Sequence, residues 1–391
     1  MGQKSDIKME NENVKGFKDF SGQEALKREK IKKLIIERFK TYGFNPCETP
    51  IIEFEEFVKG DNSRDEAISD IFKLKDRGER DLALRYEFTF QLKRLAVGKK
   101  LPFRRYQIGE VFRDEPVSSN RFRQFTQCDI DVIGSDIKND AEVLKVFSEI
   151  LTELKIDYEI EVNNRKLMNE LLEREGIKQK EQVIREIDKM GKLSEQEVKD
   201  NLKKYNAERI IDVLKKPSSF FEGYEPYKEI KELLNYCRLF NLQVKFSPTL
   251  ARGLSYYNGN VFEIKLKGMK ESIAGGGAYL INQIQGTGIS FGLERLSSLA
   301  NINLEGTKAI IISINQEEKT IEMMQSLRKE NISCFMMDKI SKALDYANNE
   351  SIPYVVFVGE EEIKKKKFKL RDMKTGKEEF LQIKAIAERL K

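Results

Sequence analysis

The stretch GEVFRDEPVSSNRFRQFTQCDID, Gly109 to Asp131, decides how this chain is read. Two runs of alternating polar and apolar residues flank a polar tip, Pro116 to Asn120, and a period of two puts successive side chains on opposite faces of a strand. If Tyr106 to Glu115 and Arg121 to Ile133 pair as strands, one face carries Arg113, Glu115, Arg121, Arg123, Phe125, Gln127, Asp129 and Asp131. The other carries Tyr106, Ile108, Phe112, Phe122, Cys128, Ile130 and Val132, an apolar surface to bury. A solvated hairpin is the competing reading, but arginines crowded on one face repel each other in the free protein. Guanidinium forks match phosphate oxygens bidentately and a ring can stack on a base, so the charged face suits a polyphosphate nucleotide. Gln127 and Asp131, farther along, suit an amine or a small polar group.

Composition narrows the chemistry around that face. With 391 residues, 35% charged and 40% hydrophobic, the chain has apolar material for two or three cores. Seventy basic against sixty-five acidic residues give +5, which permits nucleic acid without demanding it. No run approaches the roughly 20 apolar residues of a membrane span, and MGQKSDIKMENENVKG lacks the apolar segment of a signal peptide. A cytoplasmic protein without membrane contact is expected. Cys47, Cys128, Cys237 and Cys334 lie far apart with no CxxC pair, suggesting neither a disulfide framework nor a zinc site. There is no histidine, which removes imidazole bases, Ser-His-Asp and Cys-His pairs and histidine metal ligands. No metal-ligating residue is assigned, and the chemistry must run on arginines, carboxylates and positioning.

Residues 1–13 are polar and expected to be disordered. Leu26, Ile31, Leu34, Ile35 and Phe39 fall near helical spacing, and an extended piece, ETPIIEFEEF, follows. Between Leu82 and Gly134 the pattern is strand, helix, strand, hairpin, strand, which predicts antiparallel sheet. Residues 165–222 are dense in Glu and Lys at helical spacing and read as a helical insertion leaving through PSSFFEGYEP. Strand-like runs resume at Val244 to Phe246 and Val261 to Leu266, ahead of AGGGAYL, which read alone is a tight glycine turn. After Gly306 the pattern becomes βαβ. The domains expected are 14–305 and 306–391.

Phe112-Arg113-Asp114-Glu115 with Arg121 to Phe125 resembles motif 2 of the class II aminoacyl-tRNA synthetases, ETPIIE resembles motif 1 and GISFGLERL motif 3. KGFKDFSG, LALRYEFT, FRQFTQCDID, VNNRKL, ARGLSYYNGNVFE and AGGGAYL are similar to the histidyl-tRNA synthetase family over nearly the whole chain. The resemblance implies an α+β fold, an antiparallel-sheet class II catalytic core with a helical insertion, followed by an α/β anticodon-binding domain. It implies ATP-dependent activation of L-histidine as an adenylate and transfer to the 3' end of histidine tRNA, with Mg2+ accompanying ATP and a homodimer as the assembly. Carried over residue by residue, Arg113 contacts the α-phosphate and the substrate carboxylate, Glu115 the adenine amine, and Arg121 and Arg123 the outer phosphates, while Phe125 and Arg295 sandwich adenine. Glu87, Thr89 and Gln127 hold the α-amino group, Asp131 and Tyr257 the imidazole, and Tyr256 lines the pocket. Arg252 is the catalytic cation.

Four positions depart from the usual pattern: Ser255 stands where aspartate is common, Ala278 and Leu280 replace an arginine and an aspartate, and Thr126 replaces a ring. Asp131 is also one methylene shorter than a common glutamate. The main rival is the catalytically inactive synthetase-like regulatory subunit of ATP phosphoribosyltransferase; it loses catalytic arginines, whereas Arg113, Arg252 and Arg295 are present here. A synthetase for proline, threonine or glycine and an RNA-binding domain of a stress sensor are further rivals. The lack of histidine fits either synthesis under histidine scarcity or drift in a Lys- and Asn-rich composition.

Overall fold

A computed structural model of the chain describes residues 12–60, 66–118, 121–191, 193–253, 255–269, 272–304 and 306–391. The disorder expected of residues 1–13 therefore lies almost wholly outside the described residues. Two units separate by internal contacts: residues 12–19 with Arg28–Ile302, and Phe20–Lys27 with Asn303–Lys391.

In chain order the first unit contains strands β1 (Asn45–Pro46), β2 (Ile52–Phe54), β3 (Lys73–Lys75), β4 (Asp81–Leu84), β5 (Phe103–Phe112) and β6 (Gln124–Ile133). They are followed by β7 (Tyr158–Asn164), β8 (Val244–Phe246), β9 (Tyr257–Leu266), β10 (Ser272–Ile281) and β11 (Ile284–Gly292). An eight-stranded sheet runs β1-β5-β6-β11-β10-β9-β7-β8, and β2-β4-β3 form a smaller one. The pairings from β5 through to β7 are antiparallel, as the alternation predicts, and only the edge strands β1 and β8 join in parallel.

Period-two alternation builds the core beneath this sheet. Cys128, Ile130 and Val132 of β6 face it together with Tyr106 of β5. Ile31, Ile35 and Phe39 of the helix Gly22–Thr41 and Val143, Phe147 and Ile150 of the helix Ile137–Glu153 pack on them. The second helix starts where Asp136 and Asn139 form a reciprocal capping box, satisfying backbone donors that would otherwise lack partners. The Lys/Glu-rich segment folds as the helices Arg165–Arg174, Lys180–Asp188, Glu195–Leu202 and Ile210–Leu214 with short 3-10 turns. Apart from the buried Arg165, its charges lie largely toward water while Leu167, Leu171, Val183, Ile187 and Leu202 enter the main core.

Two sequence expectations need correction. β5 ends at Phe112 and β6 begins at Gln124, so Arg113, Glu115, Arg121 and Arg123 lie on the connecting loop, not on strand faces. After one further ladder bond, Arg113 N–H to Arg123 O at 2.8 Å, the backbone finds other partners: Asp114 N–H donates to Asp70 O at 2.7 Å and Arg123 N–H to Gly16 O at 2.9 Å. AGGGAYL is not a turn; it is the centre of strand β10, paired on both sides.

The second unit has β12 (Ala309–Ser313), β13 (Cys334–Met337), β14 (Tyr354–Val358), β15 (Phe368–Asp372) and β16 (Glu378–Leu381) in the order β13-β12-β14-β15-β16. The first three are parallel, as right for βαβ units, and helices including Glu317–Lys329 and Ile340–Asn349 cover the sheet. The lysine run ends a short helix, where Lys364 and Lys365 pair one turn back with Glu360 (2.5 Å) and Glu361 (3.1 Å).

One buried carboxyl group makes stability depend on pH. Asp140 accepts from Asn260 Nδ2 at 2.9 Å, and burial pushes its pKa up to about 7 despite hydrogen bonds from Thr287 and Asn260. The unfolded chain releases that proton near pH ~4 while the folded chain keeps it, so stability falls as pH rises from about 4 to about 7. Urea titrations of Asp140→Asn at pH 5 and pH 8 are expected to show a weaker loss than the parent protein, by on the order of 1–3 kcal/mol.

Candidate functional site

The face of the large sheet opposite the core carries ionisable groups, and its geometry follows from register. Arg105 of β5 stands opposite Asp131 of β6, Gln107 opposite Asp129, and Gly109 opposite Gln127. Arg105 has no exposed side-chain surface, and its Nη2 lies 2.6 Å from Asp131 Oδ2. Tyr279 of β10 donates its hydroxyl to Asp131 Oδ1. Gln127 Nε2 donates to Asp129 Oδ2 at 2.8 Å.

Glycines make the room for these groups. On β11, Gly288 is paired with Asp131, and a Cβ there would fall 2.1 Å from Asp131 Oδ1 and 2.9 Å from the Ile130 carbonyl. On β10, a Cβ at Gly275 would sit 2.4 Å from Arg252 Nη1, and one at Gly277 would sit 2.8 Å from the Tyr257 ring. The run AGGGAYL thus keeps a strand flat enough for an arginine and a tyrosine to lie across it. Ala278 is buried and Leu280 half exposed, so the arginine and aspartate common there are replaced without a compensating charge at either position.

Glu87 joins the parts of the site. It follows β4 and accepts from the Tyr256 hydroxyl at 3.3 Å. Burial pushes its carboxyl up to about 7, opposed by the Arg113 charge and the Tyr256 hydrogen bond and reinforced by Asp131. Asp129 is raised to about 8, again by burial first, with Arg105 opposing and Asp131 adding. Asp131 is raised by burial, against which Arg105 and Tyr279 act. Burial also depresses Arg105, but Asp131 and Asp129 outweigh it and hold the guanidinium charged. Thr89 is half buried two residues after Glu87, and its carbonyl accepts from Leu92 N–H at 3.0 Å.

Arg252, Tyr256 and Tyr257 come from the turn into β9. Arg252 Nη1 lies 3.3 Å from Glu263 Oε1, and the tyrosine rings are 4.7 Å apart between centroids. Arg252 and Tyr256 both act on the Tyr257 hydroxyl, opposing the rise that burial imposes on it. Contacts and electrostatic coupling therefore run from Arg113 through Glu87, Tyr256 and Tyr257 to Arg252.

The arginine loop is internally compensated. Arg121 pairs with Glu115 at 3.3 Å, Arg123 with Asp114 at 3.0 Å, and Arg113 approaches Glu115 at 3.9 Å. The repulsion expected of crowded arginines is thus offset by acids of the same loop. Arg113 donates Nε–H to Tyr86 O at 3.1 Å and lies over the Phe125 ring, 5.1 Å from its centroid. Arg295, on the helix Leu293–Leu299, donates to the Ser272 carbonyl. Thr126, where a ring is usual, bonds to Arg28 Nη2 at 2.9 Å, and Arg28 pairs with Glu294 at 2.8 Å.

Arg105, Gln107 and Tyr279 escaped the sequence reading. Arg105 and Gln107 share the odd-numbered face of β5, which extending the alternation back from Arg113 would have reached; Tyr279 became visible only once β10 was a strand. Arg105→Met leaves Asp131 buried without its cation, and denaturant titration is expected to show a loss of ~3–5 kcal/mol. Combining it with Asp131→Asn should cost less than Arg105→Met alone, since the stranded charge is gone.

Comparison with known proteins places this geometry in a family. The histidyl-tRNA synthetase family model matches residues 16–296, and an anticodon binding domain model matches residues 308–391. The chain is 34% identical to histidine–tRNA ligase 1 of Bacillus anthracis, covering 95% of this chain and 97% of that protein. It is 33% identical to histidine–tRNA ligase of Helicobacter pylori, covering 93% and 94%. Among solved structures, histidyl-tRNA synthetase from Nostoc superposes with a TM-score of 0.83 at 26% identity, covering 97% of this chain and 98% of that one. A Bacillus halodurans protein described as an ATP phosphoribosyltransferase regulatory subunit/histidyl-tRNA synthetase shares the fold at a TM-score of 0.76 and 21% identity, over 89% and 98% of the two chains. With the class II antiparallel core and a separate domain matching the anticodon-binding model, the chain belongs to the histidyl-tRNA synthetase family.

Proposed function

We propose that the protein activates L-histidine with ATP as histidyl-adenylate and transfers the aminoacyl group to the 3' end of histidine tRNA. The observation that carries this reading is a pair of buried, electrostatically coupled carboxyl groups, Glu87 and Asp131. Glu87 sits beside Arg113 and Tyr256, and Asp131 is held by Arg105 and Tyr279. An amino acid bearing an ammonium at one end and a ring N–H at the other suits both.

In this reading Glu87, Thr89 and Gln127 take the α-ammonium. Each Asp131 oxygen has one protein donor and a lone pair left over, so the carboxylate accepts from one imidazole nitrogen while Tyr257 meets the other and Tyr256 closes the side. A ligand lacking either ring nitrogen strands buried polar groups, which can be worth ~10⁴ in selectivity. Arg113 spans the substrate carboxylate and the α-phosphate, Arg121 and Arg123 exchange their acids for the outer phosphates, Glu115 accepts from the adenine amine, and Phe125 and Arg295 enclose the base. Arg252, whose guanidinium burial would depress but Tyr257 and Glu263 hold charged, stabilises charge growing on the α-phosphate.

The reaction needs no imidazole. A histidine carboxylate oxygen attacks the α-phosphorus, the bond to the bridging oxygen breaks, and pyrophosphate leaves with that electron pair; the nucleophile is already ionised. In the second step the ribose hydroxyl attacks the carbonyl, its proton passes to an adenylate phosphate oxygen, and AMP departs. Among the described residues no group of three or more acidic or thiol ligands is assembled, and Glu115 and Glu263 are engaged by cations. Mg2+ would accompany ATP and would neutralise charge on its phosphates.

We assign residues 14–305, with the helical insertion 165–222, to catalysis and 306–391 to the anticodon. A homodimer is inferred from the motif 1 segment, where Ile51, Ile52 and Phe54 are exposed while Glu53 beneath them is buried against Gln91 and Arg94. A cytoplasmic location is consistent with the absence, among the described residues, of a helix long and apolar enough to cross a membrane. The regulatory-subunit reading is less favoured: that likeness extends to the fold alone, and Arg113, Arg252 and Arg295 are all retained.

ATP–pyrophosphate exchange tests the reading. Exchange supported by histidine and by no other amino acid is the expected result; its absence overturns the proposal. Arg252→Ala is expected to lower kcat of exchange by ~10²–10³. Gly275→Ala, which displaces the Arg252 guanidinium, should reproduce much of that loss with circular dichroism unchanged. Near pH 7 Glu87 holds a fractional proton and a bound ammonium draws it to the carboxylate, so binding releases protons. Calorimetry in buffers of different ionisation enthalpy should find this release reduced in Glu87→Gln.

A further inference from the structure

The segment that presents Arg252 joins β8 to β9 and is held from two sides. From β7, Asn163 donates its Nδ2 hydrogens to Pro248 O at 3.0 Å and Leu250 O at 2.8 Å. Two residues on, Arg165 donates Nη1–H to the carbonyl of Arg252 itself at 3.3 Å. The other nitrogen of the same guanidinium, Nη2, pairs at 2.5 Å with Glu181. Arg165 is buried while its partner Glu181 is half exposed, so the bond to the Arg252 carbonyl is the shielded arm of the fork and the ion pair faces water.

Glu181 belongs to the helix Lys180–Asp188 of the helical insertion. That helix reaches the segment a second time at its other end. A Cβ at Gly253 would lie 3.2 Å from Asp188 Oδ2, and the Asp188 charge acts on Arg252. Arg252 is thereby fixed at both ends, its main chain by Arg165 and its guanidinium by Glu263. A cation that must meet charge developing on one phosphate oxygen gains from such placement, because a displacement of about 1 Å can cost ~10²-fold.

We propose that Arg165 is a positioning residue for Arg252, and that the insertion helix Lys180–Asp188, through Glu181 and Asp188, is the support against which the Arg252 segment is set. The insertion then contributes to amino acid activation itself, without touching histidine or ATP. VNNRKL acquires a role: Asn163 and Arg165 point to the Arg252 segment, while Asn164 caps the following helix.

The inference rests on the adenylate-forming reading above, and two measurements on the full chain keep the two separable. In histidine-dependent pyrophosphate exchange, Arg165→Met is expected to lower kcat by ~10- to 100-fold, with KM for histidine and ATP within about threefold of the parent. Glu181→Gln should fall between, and Arg165→Lys should restore part of the loss. Introduced into Arg252→Ala, Arg165→Met should cost nothing further, because it acts through the missing side chain. Losses that multiply in the double variant, or a change confined to KM, overturn the proposal. Independently of activity, amide hydrogen exchange of Ala251 to Gly253 should quicken in Arg165→Met and Glu181→Gln while the helix Ile137–Glu153 stays protected. Unchanged exchange there overturns the positioning role even if the parent protein is active. If the parent protein shows no pyrophosphate exchange, the functional reading fails and amide exchange alone decides the positioning role.

Discussion

Everything polar in this site is arranged around one desolvated ion pair, Arg105 with Asp131. Its two partners come from facing positions of adjacent antiparallel strands, so the distance between them is set by strand spacing. Burying two charges is expensive, and it is tolerated where geometry is good and remaining donors and acceptors are used. Tyr279 supplies one such donor. Arg105 Nε and Nη1, Gln107 Oε1 and Asp129 Oδ1 have no hydrogen-bond partner in the structure. Buried polar atoms with open valences mark a place where stability is given up.

The same burial tunes the acids unequally. Glu87 and Asp129 are pushed to about 7 and about 8, while Asp131 has a buried guanidinium at 2.6 Å to oppose the shift. Three electrostatically coupled carboxyl groups would repel if all were ionised. Nearby arginines and partial protonation relieve this. The arginine loop solves the opposite problem in the same way, with Glu115 and Asp114 neutralising Arg121 and Arg123.

Glycine determines how closely these groups approach. Gly275, Gly277 and Gly288 each leave a volume that a neighbouring Arg252, Tyr257 or Asp131 occupies. A short run of strand residues without Cβ atoms is costly in conformational entropy, so its presence in the middle of the sheet points to the side chains that lie across it. On the far side of Arg252, the buried fork of Arg165 carries the constraint out to the helical insertion.

Much of this was legible in the chain itself. Period-two alternation in Gln124–Ile133 determined that Cys128, Ile130 and Val132 would be core and that Phe125, Gln127, Asp129 and Asp131 would share the opposite face, because a strand permits no other partition. The absence of histidine determined that catalysis would rely on cations and positioning. Helical periodicity located Gly22–Thr41 and the helices of residues 165–222, since their charged faces had to meet water. Tertiary structure alone decided that the strands stop pairing just beyond Arg113, because distant carbonyls of Asp70 and Gly16 capture the amides of Asp114 and Arg123. It alone decided that AGGGAYL is a strand, that Arg105 lies behind Asp131, and that Arg165 grips the Arg252 carbonyl. These facts depend on partners far apart in sequence, and local preference carries no information about which strand will stand beside which.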